Sequence, residues 1–267
     1  MKLCILDDSY EQSNSVLKEF DLPSDPRRYL DEHECELHFL HKATAVQQVI
    51  GLAKHNFDLF INLCDGAWDE DRPGIEVVQA LERLGLPFTG ATAAFYEPSR
   101  AKMKKVCHYW GIPTPAHLFA YNWRDLETAV QLLRYPMIVK HPNSYSSIGL
   151  THASRVLTEA DLVEQAHLMI ERFGGALIEE FIEGREFTVL VAENPDDPFE
   201  PIAYLPVEFR FPPGESFKHF GLKWDEYAAM SCVPCTDGDV AERLQAISKR
   251  LFVGLDGAGY GRCDIRM

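Results

Sequence analysis

Apolar and polar positions along this chain switch between two periods, and the switches mark its elements. KLCILD, near the start, is a short apolar run of the kind that forms a buried strand opening an α/β domain. From Ser9 to Asp31 the chain is polar and interrupted by Pro23 and Pro26, which predicts a loop with at most a short helix. HECELHFL reads as a second strand, TAVQQVIGLAKHN as a helix, and FDLFINL (Phe57 to Leu63) as a strand closed by the turn signal CDG. In DRPGIEVVQALERLG, Pro73 and Gly74 suit a helix start and Gly85 its end, with Ile75, Val78 and Leu81 on one apolar face. LPFTG then returns to the sheet. Strands alternating with helices predict a mainly parallel sheet.

Further on the texture changes. EPSRAKMKKVCHYWG is a helix with Ser99 as N-cap and Gly111 as its stop, and GIPTPAH breaks regularity with two prolines. PMIVK predicts a strand and HPNSYSSIG a polar loop. Thr158-x-x-Asp161 is a capping box that opens the helix TEADLVEQAHLMIERFGG. LIEEFIEGREFTVLV reads as two strands turning at Gly184, and IAYLPVEF as one more strand. FPPGESFKHFGLKWDEY predicts a long irregular loop, DVAERLQAISKRLFVGLDG the last helix and YGRCDIRM the last strand.

Composition narrows the functional classes. With 267 residues the chain can bury two cores, and its net charge of −15 leaves no basic surplus for nucleic acid. Seven cysteines spread along the chain suit reduced cytoplasmic thiols better than a disulfide framework. The start lacks the apolar core of a signal peptide, and no run reaches membrane-spanning length, so no membrane partner is expected.

Several stretches carry chemistry. CVPC, Cys232 to Cys235, has redox or zinc spacing, but no second cysteine pair accompanies it, so a packed turn is expected. GLDGAGYGR follows a helix and opens a strand, the reverse of a dinucleotide fingerprint, and reads as a turn. Lys140 ends a strand and precedes small, hydroxylated, glycine-closed residues suited to phosphate oxygens, without a Walker pattern. As a strand-end lysine it is expected to contribute little to stability. Arg262, Asp264 and Arg266 alternate along the last strand and share one face. Glu179, Glu186 and Asp264 can carry ribose or metal contacts, while Lys140, Lys223 and Arg262 can meet phosphates. Together they point to ATP chemistry.

The order PMIVKHPNSYSSIGL, LIEEFIEGREFTV, FKHFGLKW, GYGRCDIRM resembles the D-alanine–D-alanine ligase branch of the ATP-grasp superfamily. FINLCDGAWDEDRPGIEVVQALERLGLPFTG resembles that family's substrate-domain segment. The resemblance implies an N-terminal parallel α/β substrate domain over 1–97, then an α+β ATP-grasp domain over 98–267, divided into 98–176 and 177–267. It implies that Glu179, Glu180, Phe181 and Ile182 contact adenine, that Glu186 lies near the ribose or metal, and that Lys140, Ser146, Ser147, Gly149 and Lys223 meet phosphates. By the same resemblance Arg262 stabilises the anionic intermediate, Asp264 binds Mg²⁺ (or Mn²⁺), and Glu11 and Glu70 approach the substrate amino acids. Three positions depart from the family pattern. Arg100, with Lys102 nearby, stands where its first phosphate-binding lysine falls, Asp65 replaces a histidine, and Tyr145 replaces a glycine.

The expected activity is ATP-dependent joining of a small carboxylate to an amine through an acylphosphate, in the cytoplasm, with a homodimer as one candidate assembly. A non-catalytic nucleotide-binding protein of the same fold is the alternative. A dehydrogenase is disfavoured because LDDSYEQS, not G-x-G-x-x-G, follows the first strand. The family's next strand, which would complete the metal site, has no counterpart after Met267, so the sequence is expected to be C-terminally incomplete and inactive as it stands.

Overall fold

The computed structural model describes residues 1–11, 13–15, 17–21, 24–68, 70–143, 146–197 and 199–267; the expectations placed on Pro23 and Tyr145 lie outside them. Two compact units emerge. One comprises Met1–Pro98, Val191–Ile202 and Leu255–Gly261, the other Ser99–Leu190, Ala203–Gly254 and Arg262–Met267.

In the first unit β1 (Lys2–Asp8), β2 (Glu34–Leu40) and β3 (Leu59–Asn62) form a parallel sheet in the order β2-β1-β3. Lying in the middle, β1 is buried from Leu3 to Asp8, which explains its unbroken apolar start. Helices α1 (Ala45–Leu52) and α2 (Ile75–Arg83) close the core, where Val49, Val77, Ala80 and Leu81 meet Cys4, Leu6 and Phe60. Gly74 is required at the start of α2, because a Cβ there would stand 2.0 Å from the Gly66 carbonyl oxygen. LPFTG joins the sheet only through a bridge between Phe88 and Phe60. Asp7 and Asp8 thus end a buried central strand at the carboxyl edge of a parallel sheet, where such folds place ligands.

In the second unit α3 (Arg100–Tyr109) starts at Ser99, whose hydroxyl accepts from the Lys102 N–H at 3.1 Å. After it come β4 (His117–Ala120), α4 (Trp123–Leu132), β5 (Met137–Lys140), β6 (Arg155–Val156), α5 (Glu159–Phe173) and β7 (Ala176–Glu180). The strands form an antiparallel sheet in the order β4-β7-β5-β6. Leu126 and Ala129 of α4 and Leu162, Ala166 and Met169 of α5 pack on Met137, Val139 and Ile178. β4 and α4 are not among the elements expected from the sequence, although Asn122 and Asp125 form a capping box. The predicted box at α5 is present, with the Thr158 hydroxyl accepting from the Asp161 N–H at 3.2 Å. Thr158→Ala is expected to cost about 1 kcal/mol, read as a lower urea midpoint.

A second sheet joins β8 (Glu186–Ala192), β10 (Val207–Arg210), β11 (Ser231–Pro234) and β12 (Tyr260–Arg266) in the order β11-β10-β8-β12, with β9 (Ile202–Ala203) on β8. The expected hairpin at Gly184 is therefore absent. Both edges of β7 are already taken by β4 and β5, so β8 pairs in the other sheet. Gly184 has φ +126°, and beside it Arg185 and Met267 exchange backbone hydrogen bonds of 2.8 and 3.0 Å. IAYLPVEF splits into β9 and β10, because Pro206 lies between them and has no N–H for a ladder. The long loop holds α6 (Phe220–Trp224), anchored by the fully buried Leu222, and a 3-10 turn at Tyr227–Ala229. CVPC is strand rather than turn: Cys232 lies opposite Phe209 in the β10–β11 ladder. The last helix, α7 (Gly238–Gly254), forms as expected. No helix among the described residues is long and apolar enough to cross a membrane.

Candidate functional site

In the second unit the segment 179–186 runs from the end of β7 to the start of β8 and carries two groups of charges. At its start Glu179 is buried, and its carboxylate is held by Lys140 from the end of β5 at 2.6 Å and by Lys104 from α3. Burial pushes this carboxyl up, but the ammonium groups of Lys140 and Lys104 outweigh it and hold the group down at about 2. The Lys104 ammonium also donates to the Thr114 hydroxyl at 2.5 Å. Lys140 is thus a partner of a buried carboxylate, and the expectation that it adds little to stability gives way to that pairing.

At the other end Glu186, also buried, accepts Lys218 at 2.9 Å and Arg266 at 2.7 Å. Asp264 lies on the exposed face of β12, receiving the Thr188 hydroxyl at 2.7 Å and facing Arg262 at 3.3 Å and Lys218 at 3.9 Å. Alternation along β12 does put Arg262 and Asp264 on one face, and Arg266 continues that row to Glu186. Between the two groups the Phe181 ring packs on Ile138 and Phe217, with the Arg155 and Arg266 guanidinium groups 5.0 and 4.7 Å from its centroid. The Arg266 Nε–H also donates to the Ile182 carbonyl at 2.9 Å.

The loop after β5 leans on the same region. Ser146, Ser147 and Gly149 have φ of +57°, +61° and +73°. The Ser147 hydroxyl donates to the Lys218 carbonyl at 2.9 Å, and the Trp224 indole donates to the Ser146 carbonyl at 3.0 Å. A side chain at Gly149 would press on Phe173 at 3.0 Å. Other candidates lie elsewhere on the unit. Glu180 turns outward to Arg134 at 3.1 Å, and the Lys223 ammonium sits on α6, 5.1 Å over the Trp224 ring. Lys102 is exposed on α3, and the Arg100 N–H is received by the Asn143 side chain at 3.0 Å.

In the first unit Glu70 and Asp65 converge on Arg72, a residue absent from the sequence-based candidates. Its buried guanidinium meets Glu70 at 2.6 Å, Asp65 at 2.5 Å and Asp8 at 2.8 Å. Glu11 is exposed, its N–H directed to the Ser9 hydroxyl at 3.4 Å. Sequence reasoning missed Lys104, Lys218 and Arg72. For Lys104 the run KMKK on α3 was a signal, and for Lys218 the cation nearest the start of FKHFGLKW was another. For Arg72 the sign was the acidic residue two positions before it, Glu70, but its buried partner Asp8 lies 64 residues away.

The sequence model of the family described as "D-ala D-ala ligase C-terminus" matches residues 110–267. The D-alanine–D-alanine ligase of Marinomonas sp. (strain MWYL1) is 29% identical over 235 residues, covering 86% of this chain and 69% of that relative. The same enzyme of Ralstonia pickettii (strain 12J) is 29% identical, covering 83% of this chain and 65% of its own length. That of Hydrogenovibrio crunogenus is 30% identical, with 84% and 67% covered. The chain therefore spans about two thirds of the relatives it matches. In fold it is similar to the D-alanine–D-alanine ligase of Bacillus anthracis, at TM-score 0.70 and 18% identity, covering 100% of this chain and 83% of that one. A structure of that ligase complexed with ATP gives 0.68 at 19% identity, covering 100% and 82%. The VanG D-Ala:D-Ser ligase from Enterococcus faecalis gives 0.69 at 16% identity, covering 99% and 85%. This family uses ATP, and the chain belongs to it: it is a member of the D-alanine–D-alanine ligase family.

Proposed function

We propose that the chain serves an ATP-dependent carboxylate–amine ligase acting on amino-acid substrates. The observation that carries this reading is the gathering of Lys104, Lys140, Lys218, Arg262 and Arg266 around segment 179–186 and the strands that flank it. A carboxylate is a poor electrophile. Its oxygen attacks the γ-phosphorus of ATP and ADP leaves; the amine nitrogen then attacks the acylphosphate carbonyl, and phosphate departs from the tetrahedral intermediate as the amine loses a proton. Fixed cations that neutralise phosphate charge supply most of what the protein must provide.

In this reading Lys140 and Lys104 hold phosphate oxygens, the Ser146–Gly149 loop adds backbone and hydroxyl contacts, and Arg262 faces the anionic intermediate. Segment 179–182 borders the adenine. Two of its N–H groups are committed, Glu180 to the Ala116 carbonyl at 3.0 Å and Phe181 to the Pro136 carbonyl at 2.8 Å, which holds it extended. Asp264 suits Mg²⁺ or Mn²⁺, being a half-exposed hard oxygen donor of the kind that shares such an ion with substrate phosphates. Glu186 is less suited, since its oxygens are held by Lys218 and Arg266. When bound, the ion neutralises phosphate charge. Glu11 and Glu70 are assigned to the substrate amino acids.

Amino-acid-dependent phosphate release, screened across both stereochemistries, tests the reading; ATP binding without release would favour the non-catalytic alternative. Lys140→Met removes one charged hydrogen bond to phosphate, of roughly 1.5–3 kcal/mol, and is expected to weaken ATP about ten- to a hundredfold. Lys104 still pairs with Glu179 in that variant, so the fold persists. Equal calorimetric affinities would take Lys140 out of the phosphate site.

A further inference from the structure

In the second unit the loop after β5 and the loop that holds α6 are tied where the Phe220 N–H meets the Leu150 carbonyl at 2.9 Å. Beside that tie His152, Glu215 and His219 bring one ligand atom each to within 4.8 Å of one another. The Glu215 carboxylate lies between the two imidazoles. One oxygen is 3.3 Å from Nε2 of His152 and the other 3.1 Å from Nε2 of His219. Local structure holds all three in place. Thr151 and Ser154 cap the turn that His152 opens, and the Glu215 N–H donates to the Pro212 carbonyl at 3.0 Å. His219 is buried, packs edge-on to the Phe217 ring at 5.8 Å and leads into the buried Leu222.

What this carboxylate lacks is a fixed cation. The buried carboxylates of the same unit each have a pair of them: Lys104 and Lys140 at Glu179, Lys218 and Arg266 at Glu186, Arg185 and Arg210 at Glu208. The Glu215 side chain is only 17% exposed, yet among the described residues its carboxylate meets the two histidines and no lysine or arginine. Two imidazole nitrogens and one carboxylate are the donor set of zinc and its neighbours, whereas Mg²⁺ and Ca²⁺ take oxygen. The spacing agrees. Ligand atoms about 2.1 Å from a tetrahedral zinc lie about 3.4 Å apart, close to the separations seen on either side of Glu215. Three protein ligands leave one position for water, on the side of His152, whose side chain is 64% exposed.

Ligation asks for two small adjustments. The imidazoles face each other with centroids 3.9 Å apart and planes at 43°, so the exposed His152 ring must turn off His219. In addition, Nδ1 of His219 accepts the Leu222 N–H at 3.2 Å, which puts the proton of the unligated ring on Nε2. Binding an ion at Nε2 moves that proton to Nδ1 and gives up this one capping bond, a small loss beside three bonds to a metal.

We propose that His152, Glu215 and His219 bind a divalent transition-metal ion, Zn²⁺ above all, at a site separate from the Mg²⁺ ligand assigned to Asp264. Bound there, the ion clips the loop after β5 to residues 215–219, reinforcing the Ser147–Lys218 and Leu150–Phe220 hydrogen bonds. This binding does not rest on the proposed ligase function.

The test is titration of the whole chain with CoCl₂, without nucleotide and in an excess of MgCl₂, followed by visible absorption. One saturable equivalent is expected, with d–d bands that ZnCl₂ abolishes and no thiolate charge-transfer band. His152→Ala and Glu215→Gln should each weaken Co²⁺ about tenfold or more, since losing even a group that orients a ligand costs that much. His167→Ala, at the exposed His167–Glu171 pair, and Cys232→Ser, in the CVPC strand, should leave binding unchanged. His152 is exposed, so His152→Ala keeps the proposal testable if Glu215→Gln does not fold, which circular dichroism decides. No saturation, displacement of Co²⁺ by the Mg²⁺ present, a thiolate band lost in Cys232→Ser, or undiminished binding by His152→Ala would each overturn the proposal. Phosphate release without Co²⁺ binding would defeat this inference and leave the ligase reading standing; Co²⁺ binding without phosphate release would do the reverse.

Discussion

Replacing Arg72 by methionine is expected to destabilise the first unit by roughly 3–5 kcal/mol, the usual cost of breaking a buried ion pair from one side. Arg72 is 3% exposed and touches the buried Asp8, the half-buried Glu70 and the exposed Asp65, so its loss leaves Asp8 and Glu70 without a counter-charge. Methionine preserves much of the side-chain volume, which keeps the effect electrostatic. The contrast is Asp8→Asn. Burial and the neighbouring Asp65 raise the Asp8 carboxyl, so its charge is held at a penalty that the neutral amide removes. Urea unfolding at pH 7, followed by signals from the first unit, should place the Arg72→Met midpoint far below that of Asp8→Asn. Matching midpoints for Arg72→Met and the unaltered chain would mean that water, not burial, governs this cluster.

Such long-range pairings are where reading the sequence ran short. Local signals worked where the physics is local: the apolar run of β1, the Thr158–Asp161 box of α5, the Ser99 cap of α3. The same kind of signal at Asn122 and Asp125 was present for α4 and went unread. The hairpin at Gly184 failed for another reason. Which strand β8 joins depends on whether β7 has a free edge, and β4 and β5, far off in the chain, decide that. The charged residues divide the same way. A lysine ending β5 beside a glutamate in β7 is legible as chemistry, because both strands announce their ends. That Glu179 needs a second lysine from α3, and that Glu186 takes its cations from Lys218 and Arg266, are facts of packing. Asp7 and Asp8 looked like an ordinary strand end. Only the fold shows them buried.

Glu179 sets the other large expected effect, which is a dependence on pH. In the folded protein its carboxyl lies at about 2, against an ordinary glutamate value of 4.5. A carboxyl depressed by folding adds stability that is fully present above the unfolded value and lost as pH falls toward the folded one. Glu179 should therefore stabilise the second unit by on the order of 3 kcal/mol at neutral pH, from a shift of that size at about 1.4 kcal/mol per unit. That contribution should fade between pH 4.5 and about 2. Glu179→Gln keeps the shape and removes the charge, leaving Lys104 and Lys140 facing each other across a neutral amide. Urea midpoints of the unaltered chain and the variant should differ most at pH 7 and converge toward pH 2. If ATP phosphates take the place of that carboxylate charge, ATP at pH 7 should recover more stability in the variant than in the unaltered chain. A gap that stays constant from pH 7 to pH 2 would show that the two ammonium groups do not depress Glu179, and would remove it as the anchor of the lysine pair.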